Sequence, residues 1–553
     1  MKRLSLLLVF SLLLLSLGSA IVVAQESVLV IGWEQEPSKL NPAADESFAS
    51  LMENFYARDL WDWDTNREIY PVMAAEIPSL ENGMAVTLDN GNTQVTYKLR
   101  QGMKWSDGEE ITSADCEFWH EIRMDPATFA IQRGIYVDVV ESFEVVDDYT
   151  FILTYNTPFP DFTTRATASC AYPEHILRPI LEAEGTLDFA SYWDGVGVVG
   201  YGPYTFSEWS VGNSVTFNKN PLWDGQEAAF DKVVLNFLTE PAQMQNAMEV
   251  GEIDVAFNFS DDLVAGYKGI AGVQVFGTPG VYGDALWINM GNGGHPALTD
   301  LRVREAIAHA IDRKTLAEEL VGPGTQVPAA WHPAQFWPDD IAPLDYDVDM
   351  ANQLLDEAGW IDSNGDSIRD KDGEELILRF FTTTRQIRMD YQVVIQEYLD
   401  AVGISTQLLP IPSGILFGSF NERGVLNTGD FDLAIFALSA DPLSPFADAP
   451  SWFGCGGIPS IDNPDGNNGW GFCSEEFDTK DALVGVTVDP VQRLAYAHDA
   501  IRAFVNAQFW EGLYLRPQWY AFNTDRLDFE TVQDVGTLSA NYFQKVEYWQ
   551  PAQ

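Results

Sequence analysis

The chain alternates short apolar runs with amphipathic stretches, and the clearest of the latter runs from Asp300 to Leu320, DLRVREAIAHAIDRKTLAEEL. Val303, Ala306, Ile307, Ala310 and Ile311 recur at i, i+3, i+4, i+7 and i+8, which puts them on one face of a helix. Asp300 stands where an N-cap carboxylate accepts a backbone N–H. Arg302, Arg304, Glu305 and Arg313 fall largely off the apolar face, so the stretch reads as an amphipathic helix on a core. Upstream, SVLVIGWEQEPSKLNP predicts a buried strand that ends in a turn at Pro37. GNTQVTYKLRQGMKWSDGEEITSADCEFWHEI predicts a strand over Val95 to Leu99, a turn at Ser106-Asp107-Gly108 and a helix opening near Thr112 to Asp115. YTFILTY alternates with the period of a strand. GYGPYTFSEWSVGNSVTFNKNPLWDG reads as two strands joined at Val211-Gly212-Asn213. From Asp300 onward helices dominate, interleaved with short strands such as LILRFFT and FDLAIFAL. No internal repeat or low-complexity linker divides the chain, and the irregular mixture favours α/β lobes between which it crosses more than once.

Length and composition narrow the class. A chain of 553 residues exceeds one compact core, so two or three lobes are expected. Hydrophobic residues at 46% and aromatics at 13% are globular proportions. Against 82 Asp and Glu stand 31 Lys and Arg, a formal charge of −51, which argues against nucleic acid as a partner because that requires a basic footprint. The acids are scattered, as on the solvated surface of an exported protein. Lys2 and Arg3 precede an apolar run from Leu4, and Val22-Val23-Ala24 offers a cleavage site before Gln25, the layout of a secretory signal over 1–24. The alternative is retention as a membrane anchor. No cysteine lies near that site, so the expected product is periplasmic or cell-surface and not lipid-anchored through a signal-peptide cysteine. Four cysteines in an exported chain permit disulfides. Cys455 and Cys473 flank a Gly/Pro/Asn-rich loop that a bridge would fix, and Cys116–Cys170 follows by elimination.

Catalytic layouts are missing. The sequence contains no G-x-x-x-x-G-K-[ST], H-E-x-x-H or G-x-S-x-G. His120, His175, His295, His309, His332 and His498 show no ligand-like clustering. With so many carboxylates, any acid/base pair would be a selection from noise, and a secreted carbohydrate-active enzyme stays open only on that ground. DSNGDSIRDKDG sets Asp362, Asn364, Asp366 and Asp370 at positions 1, 3, 5 and 9 of a calcium-type loop. Ser367 stands at the position of the usual Gly and Gly373 at that of the usual Glu, so a structural calcium competes there with a plain polar turn; no other cofactor is expected.

Several stretches together resemble one family, the extracytoplasmic solute-binding proteins of ABC transporters of the oligopeptide- and dipeptide-binding type (family 5). EPSKLNP resembles the E-P-x-x-L-x-P start, and YKLRQGMKWSDGEEITSADCEFW the L-R-x-G-x-x-W-x-D-G stretch, with Ser113 and Cys116 for the common Ala and Val. GYGPYTFSEW with NKNPLW, VGEIDVA, and DLRVREAIAHAIDRKTL are similar to three further signatures in the same order. The resemblance implies an α/β, two-lobed periplasmic-binding-protein-like fold (type II, cluster C) with an extra subdomain inserted in the first lobe. We expect the first lobe at 25–75, 195–280 and 515–553, the insert at 76–194 and the second lobe at 281–514. The implied function is capture of a peptide by hinge closure and delivery to the permease subunits, by a monomer, without catalysis. An oligosaccharide ligand is the alternative within the family; nickel carriage is not favoured by the histidines. In peptide-binding members an Asp after the strand corresponding to FDLAIFALSA pairs with the ligand's amino terminus, and Asp441 resembles it, although members often carry two Asp where this chain has Asp441-Pro442. Trp33, Glu36, Trp287, Asn289 and Arg385 are the further cleft candidates.

Overall fold

The computed structural model describes residues 26–33, 36, 47–64, 68–125, 133–164, 168–185, 198–257, 259–291, 293–322, 325–441, 443–445, 452–464, 466–532 and 543–552. The secretory-signal expectation therefore lies outside the described residues. Ten strands form one mixed sheet: β1 Val28–Trp33, β2 Tyr204–Ser210, β3 Ser214–Lys219, β4 Lys232–Phe237, β5 Val255–Phe257, β6 Val273–Ile288, β7 Ile377–Thr383, β8 Ser405–Ile411, β9 Leu433–Ser439 and β10 Trp510–Asn523. Their spatial order is β8-β7-β9-β6-β10-β5-β1-β4-β3-β2. Helices pack against both ends of it, which is the expected α/β class. A separate four-stranded sheet is built from Ala85–Thr87, Thr93–Lys98, Thr150–Tyr155 and Val140–Asp147. Beside it runs α1, Ser113–Met124, opened by a capping box in which Asp115 accepts the Thr112 N–H at 2.9 Å and Thr112 accepts the Ala114 N–H at 3.3 Å.

Two sets of parallel strands, β4-β1-β5 and β9-β7-β8, are joined through the antiparallel pair β6 and β10. β6 has 16 residues, about 50 Å at the usual rise, and so belongs to both halves of the sheet. Its first part, Val273 to Pro279, pairs with Pro517 to Asn523; its second, from Gly283, pairs with Trp510 to Leu515, after a slip between 279 and 283. At that crossing Gly280 faces the Arg516 carbonyl, where an added Cβ would lie 2.6 Å from the oxygen, so a side chain would push the strands apart. The apolar cores follow the same division. One surrounds Trp33, Phe55 and Phe217, and others surround Ile307 with Phe380 and Trp287 with Phe453.

The stretch from Asp300 differs from expectation by a break. It forms α3 Leu301–Ala310 and α4 Arg313–Leu320, because Asp312 accepts the Thr315 N–H at 3.1 Å and caps a second helix while Ile311 is extended. The five apolar positions are buried as expected. Arg304 and Arg313 are buried too, contrary to the expectation. Arg304 donates to the carbonyls of Ala507 and Leu298 at 2.8 and 2.7 Å, and Arg313 pairs with Glu511 and donates to the Leu344 carbonyl. Periodicity ranks these positions as polar, but a guanidinium can enter a core when carbonyls and a carboxylate meet its N–H groups.

The crossing is held by charge. Asp284 of β6 is fully buried and accepts Arg388 Nε at 2.7 Å, from α5 (Gln386–Asp400), and Arg516 Nε at 2.8 Å, from β10. Arg516 also lies over the Tyr282 ring, 5.4 Å from its centroid. Burial alone would raise the Asp284 carboxyl, but the Arg516 and Arg388 guanidiniums outweigh it and hold it below the usual carboxylate range. Cys116 is bonded to Cys170 and Cys455 to Cys473, across 54 and 18 residues of sequence.

Asp284→Asn keeps the shape and leaves two guanidiniums without their counter-charge, so urea unfolding at neutral pH should show a loss of about 3–5 kcal/mol. Because the folded carboxyl titrates below its unfolded value of about 3.9, its contribution is present above that pH and is lost as pH falls through the lowered value. The wild-type stability profile should contain that acid step and the variant's should lack it. Replacing Cys455 and Cys473 by Ser should cost about 3 kcal/mol and replacing Cys116 and Cys170 about 4, following the longer loop, as read by the same unfolding curves.

Candidate binding site between the two halves of the sheet

Strand register fixes where the parallel strands point. Phe257, at the C-terminal end of β5, pairs with Tyr520, and Ser439, at the C-terminal end of β9, pairs with Tyr282. Both ends therefore approach the crossing from opposite sides, and the strands parallel to them do likewise. Open α/β sheets bind ligands beyond the carboxyl ends of their strands, where loops and unpaired backbone groups converge. Here the residues just past those ends are Glu36 after β1, Leu238 after β4, Phe259 to Asp261 after β5, Arg385 after β7 and Asp441 after β9.

A cavity of roughly 300 Å³, at the small end of ligand pockets, opens beside Leu238, Phe259 to Asp261 and Arg385, while Glu36 and Asp441 stand outside its lining. Met244, Phe259 and Tyr267 make its apolar wall, and Asp261, Arg385 and Arg516 its charged one. Tyr267 is fully buried, and among the described residues its hydroxyl has no hydrogen-bond partner. Asp261 opens a turn that continues into α2, Val264–Lys268. Its carboxylate accepts the Trp519 indole N–H at 2.8 Å and lies 3.7 Å from Arg385 Nη2, so an ion pair spans the gap from one half to the other. On the other flank of α2, Val264, Lys268 and Trp519 line a second space of roughly 320 Å³. Arg385, Arg388 and Arg516 thus meet Asp261 and Asp284, one positive charge in excess within a chain of formal charge −51.

The candidates divide. Arg385 is in the cavity wall. Asp441 lies in the loop after β9, half-buried, and its Oδ1 accepts the Leu443 N–H at 2.8 Å. That loop is held from behind by Arg493, whose Nη2 donates to Ser444 Oγ at 3.1 Å and to Asp161 at 2.7 Å. Glu36 accepts the Trp209 indole N–H at 2.8 Å and the Gly212 N–H at 2.9 Å, which ties the β2–β3 turn to the rim of the gap. Trp33, Trp287 and Asn289 are core residues, not cleft residues. Trp33 packs on Phe257 at 5.0 Å, and Trp287 stacks on Phe436 at 4.5 Å and donates to its carbonyl. The Asn289 amide donates to the carbonyls of Gly429 and Phe431.

The acidic loop is satisfied by itself. Asp362 accepts the N–H groups of Gly365 and Ser367, Asp366 accepts that of Ile368 and the Asn364 amide, and Asp370 accepts Ser363. Its oxygens accept donors of the loop itself, and among the described residues no group of three or more His, Cys, Asp or Glu could hold a metal. Asp261, Arg493 and Arg516 escaped the sequence reading. Arg516 had a signal, a charge inside the apolar run LYLRPQW, which demands a buried partner.

The model of the bacterial extracellular solute-binding proteins, family 5 (middle), matches residues 68–460. The oligopeptide-binding protein AppA of Bacillus subtilis is 26% identical over 436 residues, 76% of this chain and 74% of that protein. Its solved structure with a nonapeptide superimposes with a TM-score of 0.66 at 21% identity, covering 96% of this chain and 100% of that one. The ABC transporter substrate-binding protein CtaP of Listeria monocytogenes gives 0.77 at 17% identity, covering 96% and 100%. These structures share the two-lobed fold. The chain belongs to the bacterial extracellular solute-binding proteins of family 5.

Proposed function

We propose that the protein captures peptides in the gap between its two halves, closes on them, and presents the closed form to the permease of an ABC importer. The observation that carries this reading is the chemistry at the ends of two adjacent parallel strands: a carboxylate, Asp441, after β9, and a guanidinium, Arg385, after β7. An ammonium group meets the first by a charge-assisted contact, which is stronger in a water-excluded cleft than on a surface. The relative named as an oligopeptide-binding protein supports the same ligand class. An oligosaccharide calls for aromatic platforms open to the cleft, whereas Trp33 and Trp287 are fully buried. Binding without turnover fits a family of binding proteins, so no catalytic role is assigned. The protein acts outside the cytoplasm as a monomer with its signal segment removed; among the described residues no helix is long and apolar enough to cross a membrane.

Isothermal titration with a tetrapeptide and its N-acetylated form tests the reading. The free peptide should bind and the acetylated one should bind weakly. Asp441→Asn should lower affinity for the free peptide by about 1.5–3 kcal/mol while changing ligand-free stability far less. Equal binding of both forms to the wild type would remove Asp441 as the ammonium anchor. Binding of neutral oligosaccharides alone would replace the ligand class.

A further inference from the structure

We infer that Asp261 is a built-in counter-ion to Arg385, and that it makes the cleft take peptides which continue past this guanidinium in preference to peptides which end on it. The inference rests on the peptide reading and names the class of peptide.

Three features make Asp261 a placed charge and not a surface acid. It is the first residue of the turn leading into α2, and its side chain is 11% exposed. The Trp519 indole N–H fixes its orientation at 2.8 Å. It belongs to the half of the sheet opposite Arg385, so the 3.7 Å contact forms across the gap in which the ligand lies. Arg388 and Arg516 are already committed to Asp284, which leaves Arg385 as the guanidinium of this cluster whose charge Asp261 meets.

The consequence for a ligand follows from geometry. β7 and β9 are adjacent and parallel, with Thr382 opposite Ile435, and neighbouring strands lie about 4.8 Å apart. Arg385 and Asp441 leave the same edge, each two residues beyond its strand, with β9 running three residues further than β7 in the register. A peptide anchored by its amino group at Asp441 therefore reaches the neighbourhood of Arg385 within a few residues, at about 3.4 Å for each. An unpaired arginine there would grip a terminal carboxylate through paired N–H groups and select short peptides of one length. With Asp261 in contact, that carboxylate must approach a group of its own sign or displace it, and like charges set together oppose binding. A neutral backbone amide passing the same point meets no such opposition. Arg385 remains 33% exposed, which leaves N–H groups free to donate to peptide carbonyls.

The experiment uses the full protein and a series of Ala/Phe peptides of two to six residues, each as free acid and as C-terminal amide, measured by titration calorimetry. In the wild type, the acid should bind no better than its amide at any length. In Asp261→Asn, which retains an acceptor for Trp519, one short length should gain about tenfold for the acid over its amide, the increment of one charge-assisted contact. Adding Arg385→Gln should abolish that gain, which a merely structural role for Asp261 does not require. Unchanged acid-to-amide ratios in Asp261→Asn, or a tenfold acid preference already present in the wild type, would overturn the inference while the peptide reading stands. Failure of every peptide to bind either protein would overturn both.

Discussion

Two antiparallel strands run from one half of the sheet into the other, and their backbone ladders must stay paired while the side chains around them change core. β6 meets this constraint with a slip between 279 and 283 and with Gly280 laid against the Arg516 carbonyl. Where the ladder is weakest, side-chain charge takes over, and Asp284 draws β10 and α5 to β6 through two guanidiniums. The parallel strands on both sides end toward this point, so the positions of the described residues just past those ends depend on it. The carboxylate is expensive to bury, and it is stable there because two opposite charges and direct hydrogen bonds offset the lost hydration.

Electrostatics has different signs at different scales in this protein. The whole chain is strongly negative, so small anions are repelled as they come within about a screening length of its surface. The wall of the cleft is the reverse, with Arg385 and Arg516 against Asp261, and with Arg388 and Asp284 buried behind them. A zwitterionic or neutral ligand feels little of the long-range field and then meets close, desolvated charges that orient it. Arg493 adds a link: it bonds Ser444 in the loop that carries Asp441 and also reaches Asp161, which ties that loop to the chain after Thr150–Tyr155.

Much of the fold was legible because burial imposes periodicity. YTFILTY became Thr150–Tyr155, the Val211-Gly212-Asn213 turn joined β2 to β3, and Thr112 capped its helix. The longest strand was not legible, since VQVFGTPGVYGDALWI carries glycines and a proline that read as breaks, and only pairing on both sides keeps it extended. The break at Ile311 depends on one cap, which a periodic pattern does not register. Asp441 and Arg385, singled out through the family resemblance, both stand just past the ends of apolar strands. Trp33 and Trp287 could not be assigned, because an indole at a strand end serves a core and a cleft equally well until its neighbours are known. Asp261 lies in NFSDDL, where nothing local tells a placed carboxylate from a solvated one.

Neither disulfide crosses the gap. Cys116–Cys170 joins α1 to chain near the smaller sheet, and Cys455–Cys473 closes a loop beside the Trp287 core. Oxidation outside the cell therefore stiffens each part as a body and leaves the angle between them ungoverned by covalent chemistry. Their relative motion is left to contacts that can break and re-form at each capture, so an oxidising surroundings hardens the jaws without locking them.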